Sequence, residues 1–402
     1  MLEFERPILE LEKKLKDLRD LAHSQSVDLG AEIKGVEKKL ISLLQETYSQ
    51  LTPWQKVQVS RHPNRPYTKD YIDALFTDFQ ELHGDRSFGD DAAIIGGTAL
   101  FRGTPVMVIG HQKGRKTKEK MERNFGMARP EGYRKVIRLL ELASRFRLPL
   151  IHFIDTPGAY PGLDAEERGQ AEAIADCIRH LFVLETPTLA IVIGEGGSGG
   201  ALALSATDEV QMLEFSTYSV ISPESCASIL WNDSTLAERA AERIKLTSHD
   251  LLRFGIIDSV IPEPLGGAHR NWEECFRLVG DIIETYQKKS EKIISSEVSI
   301  AEMLETRYQR YRTLGQNQIS FLNEENFNFG ASAAQGASVK RGKPPVKSGG
   351  KSSVKTAAAK TKPSPKKAMT STAAALGKTA MKAGAGKKVG RSDSASSKGR
   401  RA

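Results

Sequence analysis

Near the amino end, Ile8, Leu11, Leu15, Leu18 and Leu21 recur at steps of three and four, which lines them along one face of a helix. Ile33, Val36, Leu40 and Leu43 repeat the pattern after the polar break "HSQSVDLG". Residues 1–60 are therefore predicted to form an antiparallel helical hairpin whose apolar stripe packs on the body or pairs with another chain. "SRHPNRPYTKDYI", 60–72, is dense in turn signals and marks the entry to the body. From there, apolar runs ("AAIIGGTALF", "TPVMVIG", "LPLIHFID", "TPTLAIVIG", "EVQMLEF") alternate with helical ones ("GYRKVIRLLELASRF", "ERGQAEAIADCIRHLF", "GGALALSA"). Strands that are apolar at nearly every position belong to a sheet buried on both faces, the βαβ arrangement of an α/β fold. After "IIDSVIPEP", amphipathic helices are expected near 271–290 and 299–314, with order ending near Phe329. The predicted division is a helical hairpin at 1–60, a core at 61–267, carboxyl-terminal helices at 268–329 and a tail at 330–402.

Charge sharpens the last boundary. Residues 331–402 carry 18 Lys and Arg against the single Asp393, a net +17, whereas residues 1–330 carry 40 against 49 acidic residues, a net −9. The tail has no aromatic residue and few large aliphatics, so it is predicted to be disordered. Lys interspersed with Ala, Ser, Gly and Pro suits electrostatic binding of nucleic acid, the alternative being a solubilising extension; base stacking would need aromatics. Cys177, Cys226 and Cys275 form no CxxC pair, which argues against a zinc site on this chain and fits a reducing cytosol. No apolar run approaches the roughly 20 residues of a membrane span, so a cytoplasmic location without membrane attachment is expected.

"IVIGEGGSGGALAL", 191–204, carries the candidate chemistry and fits two signatures at once. Gly194, Gly196 and Gly199 spell the dinucleotide motif GxGxxG, and Gly196, Ser198 and Gly200 spell the hydrolase motif GxSxG. Against the first, the stretch between Gly199 and Val210 leaves room for only about two helical turns, short of the usual crossover. The second needs an acid and a base downstream; Asp208, Asp233 or Asp250 with His249 or His269 can be nominated, and nothing singles out a pair. "DTPG", 155–158, resembles the DxxG of GTPases, but "GHQKGRKT" misses the phosphate-loop spacing.

The glycines have a plainer physical use. Adjacent amides at Gly199 and Gly200, at the positive end of a helix, make an oxyanion hole for an enolate-like oxygen. "DTPGAYPG" repeats the device one unit earlier with Gly158 and Ala159, ahead of a helix starting near Glu166. Two such loops ending adjacent parallel strands mark a ligand site. "HQKGRKTKEKMERNFGMARPEGYRK", 111–135, adds nine Lys and Arg against three Glu in an otherwise acidic body. A phosphate-rich acyl carrier such as coenzyme A is the expected ligand, with Lys113, Arg115, Lys116, Arg123 and Arg129 as candidate contacts.

Taken together, "GHQKGR", "RNFGMARPEGYRK", "FIDTPGAYPG", "AEERGQAEAIA", "IGEGGSGGALA", "STYSVISPESCASILW" and "SVIPEPLGGAHRN" closely resemble the α subunits of bacterial acetyl-coenzyme A carboxylase carboxyltransferase, over about residues 1–325. The resemblance implies a crotonase-like fold, a spiral of ββα units. It implies half an active site, completed by a zinc-ribbon β subunit in an α2β2 assembly that works with a biotin carboxylase and a biotin carboxyl carrier protein. The implied reaction moves a carboxyl group from carboxybiotin to acetyl-CoA, giving malonyl-CoA for fatty acid synthesis. Catalysis is then electrostatic, with biotin itself as the base and no metal on this chain. By motif, Gly199 and Gly200 form the oxyanion hole, Gly196 and Gly197 shape the loop, Gly158 and Ala159 border the pocket, and Ser198 is a small residue in a crowded turn. Whether this subunit holds the biotin or the thioester oxyanion stays open. The alternatives are a serine hydrolase and a polyanion-binding protein on the same fold.

Overall fold

A computed structural model describes residues 2–25, 28–295 and 298–315. The expected disordered tail at 330–402 lies outside the described residues, as does the end of order near Phe329.

At the amino end, α1 (Arg6–Gln25) and α2 (Gly30–Ser49) pack together and are bridged by an Arg19–Glu37 pair at 2.6 Å. Its stripe closes on the body, with Ile8, Leu44 and Tyr48 buried against Val59 and Phe215. Buried Glu5 ties the chain start down by accepting from Tyr48, His269 and Arg270. Two short helices lead inward, α3 (Pro53–Ser60), started by a Thr52–Gln55 capping box, and α4 (Thr68–Leu75).

The sheet opens with β1 (Thr77–Glu81), β2 (Ile94–Phe101) and β3 (Thr104–His111), which are antiparallel. The two-residue connection from Phe101 to Thr104 is too short for a crossover, so β2 and β3 form an antiparallel hairpin and the sheet is mixed. The basic segment then forms α5 (Thr117–Glu122) and α6 (Pro130–Phe146), followed by β4 (Leu150–Thr156). The helix expected from Glu166 is two pieces, α7 (Leu163–Glu167) and α8 (Gln170–Phe182), broken at Gly169 in the left-handed region. The chain continues through β5 (Thr188–Gly197), α9 (Ser198–Ser205), β6 (Glu209–Leu213) and β7 (Thr217–Ser219). It ends through α10 (Pro223–Trp231), α11 (Ala237–Ile244), α12 (Ser248–Arg253), β8 (Ser259–Ile261), α13 (Trp272–Ile294) and α14 (Ile300–Thr313).

Strands β3, β4, β5, β6 and β8 are parallel neighbours in that order. β5 pairs with β6 along 189–192 and with β7 along 195–197, so its carboxyl end takes a second partner off the main strand order. Alternation along the strands fills both faces. Ile151, Phe153, Leu189 and Ile191 pack with α4 and α13, while Leu150, Ile154, Ala190 and Val192 pack with α6, α8 and α9. The carboxyl-terminal helices are therefore part of the core. Among the described residues, no helix is long and apolar enough to cross a membrane.

Candidate active site

β4 and β5 both run out into tight turns at their carboxyl ends, and the two turns are fused. After β4, the Thr156 hydroxyl donates to the Gly158 carbonyl at 2.7 Å and accepts from the Gly158 amide at 3.1 Å. Gly158 takes φ 152°, and the Tyr160 amide donates to the Ala128 carbonyl at 2.9 Å, fastening the turn to the basic segment. After β5, Gly197 passes so close to this turn that a methyl group there would land on the Pro157 carbonyl. A Cβ at Gly200 would stand 2.6 Å from the Ala159 nitrogen and 2.7 Å from the Gly158 carbonyl carbon. Only glycine permits this approach at either position.

Ser198, Gly199 and Gly200 occupy the first turn of α9, where amides have no acceptor inside the helix, and Gly197 offers no side-chain cap. Gly199 and Gly200 thus present two donors at the positive end of a helix, beside Gly158 and Ala159. Ser198 is exposed with φ 51°, the strain of a nucleophile elbow, but the nominated partners are engaged elsewhere. Asp208 pairs with Arg307, Asp233 caps Thr235, Asp250 bonds Thr247, His249 meets Ser248 and His269 bonds Glu5. Beneath the loop, fully buried His111 faces the Gly200 and Phe153 backbone, its pKa pushed down to about 3 by burial, so the ring is neutral.

The basic candidates separate into groups. Lys113 turns inward, its Nζ 2.7 Å from Asp155 Oδ1 and 3.4 Å from Glu195 Oε2. Arg129 stacks over the Tyr160 ring at 4.5 Å and faces Asp164 at 3.7 Å, so it also touches the first loop. Arg115 lies between the Tyr67 and Trp272 rings, at 4.3 and 4.8 Å, paired with Asp70 and donating to the Pro63 carbonyl, and so fixes the base of the segment. Lys116 stands exposed at the start of α5, and Arg123 at its end donates to the Ala92 carbonyl at 2.7 Å. Described contacts connect Arg115, Lys116 and Arg123 to neither glycine loop.

Sequence reasoning missed Arg61, whose Nε lies 2.7 Å from Glu195 Oε1 and whose other end pairs with Glu224. It lines a solvent-open recess of about 300 Å³ together with Pro157, Glu195, Gly196, Gly197 and Ile221. Glu5, His62 and His269 are the grouping with metal-ligand spacing among the described residues, their ligand atoms within 4.8 Å of one another. Arg270 already occupies that carboxylate, and its charge opposes a cation there.

A mixed sheet flanked by helices, with amide-bearing turns at the ends of adjacent parallel strands, is an α/β architecture. The family model for acetyl co-enzyme A carboxylase carboxyltransferase-like proteins matches residues 1–315. Acetyl-coenzyme A carboxylase carboxyl transferase subunit alpha of Geobacter metallireducens is 52% identical over 313 residues, 78% of this chain and 96% of the relative. The protein of the same description from Nitrosospira multiformis is 55% identical over 315 residues, again 78% and 96%. This chain belongs to the acetyl co-enzyme A carboxylase carboxyltransferase-like family. Among solved structures, transcarboxylase 12S overlays 56% of this chain and 42% of its own length at 18% identity and TM-score 0.45.

Proposed function

We propose that this chain is the α subunit of an acetyl-CoA carboxylase carboxyltransferase, transferring the carboxyl group of carboxybiotin to acetyl-CoA to give malonyl-CoA. The observation that carries the reading is the first turn of α9, where two amides without an acceptor inside the helix face a second glycine turn. Carboxybiotin, presented on a biotin carboxyl carrier protein, supplies both the carboxyl group and, once it is given up, the base that takes a proton from the acetyl methyl. The chain's own contribution is electrostatic: the Gly199 and Gly200 amides donate to a developing enolate-like oxygen, on biotin or on the thioester. Gly196 and Gly197 set the approach of that loop, and Gly158 and Ala159 form the facing wall.

The site is half of one. Val220, next to the recess-lining Ile221, and Ile229 and Leu230 at the end of α10 stand exposed, apolar surface suited to a partner chain. That partner is a zinc-ribbon β subunit, and the assembly is α2β2, working with biotin carboxylase in a cytoplasmic pathway of fatty acid synthesis. Coenzyme A phosphates meet the exposed edge of the basic segment. Lys116→Ala is accordingly expected to raise the KM for malonyl-CoA about two- to fivefold at unchanged kcat, the loss of one exposed ionic contact. An unchanged KM would remove Lys116 from the site. The reading as a whole is tested by decarboxylation of malonyl-CoA in the presence of biotin, the reverse reaction, run on this chain with a zinc-ribbon partner.

A further inference from the structure

Beneath the two glycine turns lies a run of buried charges that the electrostatic mechanism leaves unused. Lys113 stands two residues past the end of β3, Asp155 is in β4 and Glu195 in β5, so the group spans the carboxyl ends of three adjacent parallel strands. The Lys113 ammonium reaches Asp155 at 2.7 Å and Glu195 at 3.4 Å, and the three side chains are only 15%, 4% and 14% exposed. Arg61 takes the second Glu195 oxygen at 2.7 Å and extends the chain to Glu224 in α10.

The backbone shows why such a tie matters here. Ile154 pairs with Val192, yet Thr156 pairs with Gly196, so β4 advances two residues while β5 advances four. Across this irregularity the ladder no longer sets the spacing of the two strands. The Asp155 carboxylate fills the gap by accepting the Glu195 amide at 3.0 Å from the same Oδ1 that faces Lys113. Burial lowers the affinity of Lys113 for its proton, but the two carboxylates outweigh it and keep the ammonium charged. A buried cation held between two anions is a rigid restraint, since removing one partner leaves an uncompensated charge.

We propose that Lys113 is a positioning residue for the carboxyltransferase reaction: by bridging Asp155 and Glu195 it fixes the ends of β4 and β5, and hence the separation of the Gly158 and Gly200 turns. The proposal rests on the function assigned above and assigns Lys113 to the loops, away from direct coenzyme A contact. Misplacement of oriented groups by about 1 Å can cost about 10²-fold in rate.

The experiment uses the assembled complex with its zinc-ribbon partner, assayed by malonyl-CoA decarboxylation. Because Lys113→Met alone strands a buried carboxylate, the working variant is Lys113→Met/Asp155→Asn, in which the asparagine side chain keeps an oxygen for the Glu195 amide. Glu195→Gln is the second, isosteric variant. Both are expected to co-purify with the partner and to lose about 10- to 100-fold in kcat, with KM for malonyl-CoA within about twofold of wild type. A kcat near the wild-type value in either folded variant, or a raised KM at unchanged kcat, would overturn the positioning role. Absence of turnover in the wild-type complex would instead fault the assignment of function.

Discussion

Replacing Gly200 with alanine is expected to cut carboxyl transfer by about 10²- to 10³-fold, the usual effect of losing one oxyanion donor. The reason is steric before it is electrostatic. The added methyl would meet the Ala159 nitrogen at 2.6 Å and the Gly158 carbonyl carbon at 2.7 Å, both main chain, so the two turns must separate and the donors lose their aim. Gly200 is buried, and a larger side chain such as valine would disrupt the fold of the loops as well as their chemistry. Gly199→Ala is the control for folding, since its methyl would rest in ordinary contact with Ile174 at 3.6 Å, leaving stability near that of wild type. Steady-state decarboxylation kinetics and thermal melts of both variants check the pair; a wild-type rate for Gly200→Ala would remove this turn from catalysis.

Arg307→Ala is expected to be the most destabilising single change, by about 3–5 kcal/mol. Arg307 in α14 is fully buried, pairs with Asp208 at 2.6 and 2.8 Å, and donates to the carbonyls of Leu181, Leu184 and Thr186. Alanine would remove the guanidinium from three carbonyls and leave the Asp208 carboxylate held by the Thr188 amide and hydroxyl alone, with its charge uncompensated. Denaturant midpoints should drop sharply for Arg307→Ala and recover in part when Asp208 is also made Asn. A change under about 1 kcal/mol would mean that water replaces the guanidinium and that α14 is not locked by it.

Much of this architecture is written in local pattern. The inner strands β3, β4 and β5 are legible because both their faces are buried, so the apolar run is unbroken. β1 is an edge strand with mostly exposed residues, and β7 and β8 have three residues each, too few for a period to register. Helices α10 to α12 are also short, at nine, eight and six residues, and caps at Ser222 and Thr247 start the first and last of them where no long apolar stripe does. The glycine turns could be read directly, since few residue types survive so close an approach of two backbones. The charge network could not, because Arg61 meets Glu195 across 134 positions. Its one local signal was an acidic residue lodged in each of two otherwise apolar strand ends, Asp155 and Glu195. Nor does a count of positive charges in the basic segment tell Lys116, turned to solvent, from Lys113 and Arg115, which are spent on internal partners.

This chain is proposed to hold half of a carboxyltransferase site. That is tested most directly by measuring biotin-dependent decarboxylation of malonyl-CoA with this chain alone, with the proposed zinc-ribbon partner alone, and with the two co-expressed. Turnover by the co-expressed pair and by neither chain separately is the predicted result. Turnover by this chain alone, or none from a pair that co-purifies, would contradict the account and return Ser198 to consideration as a nucleophile.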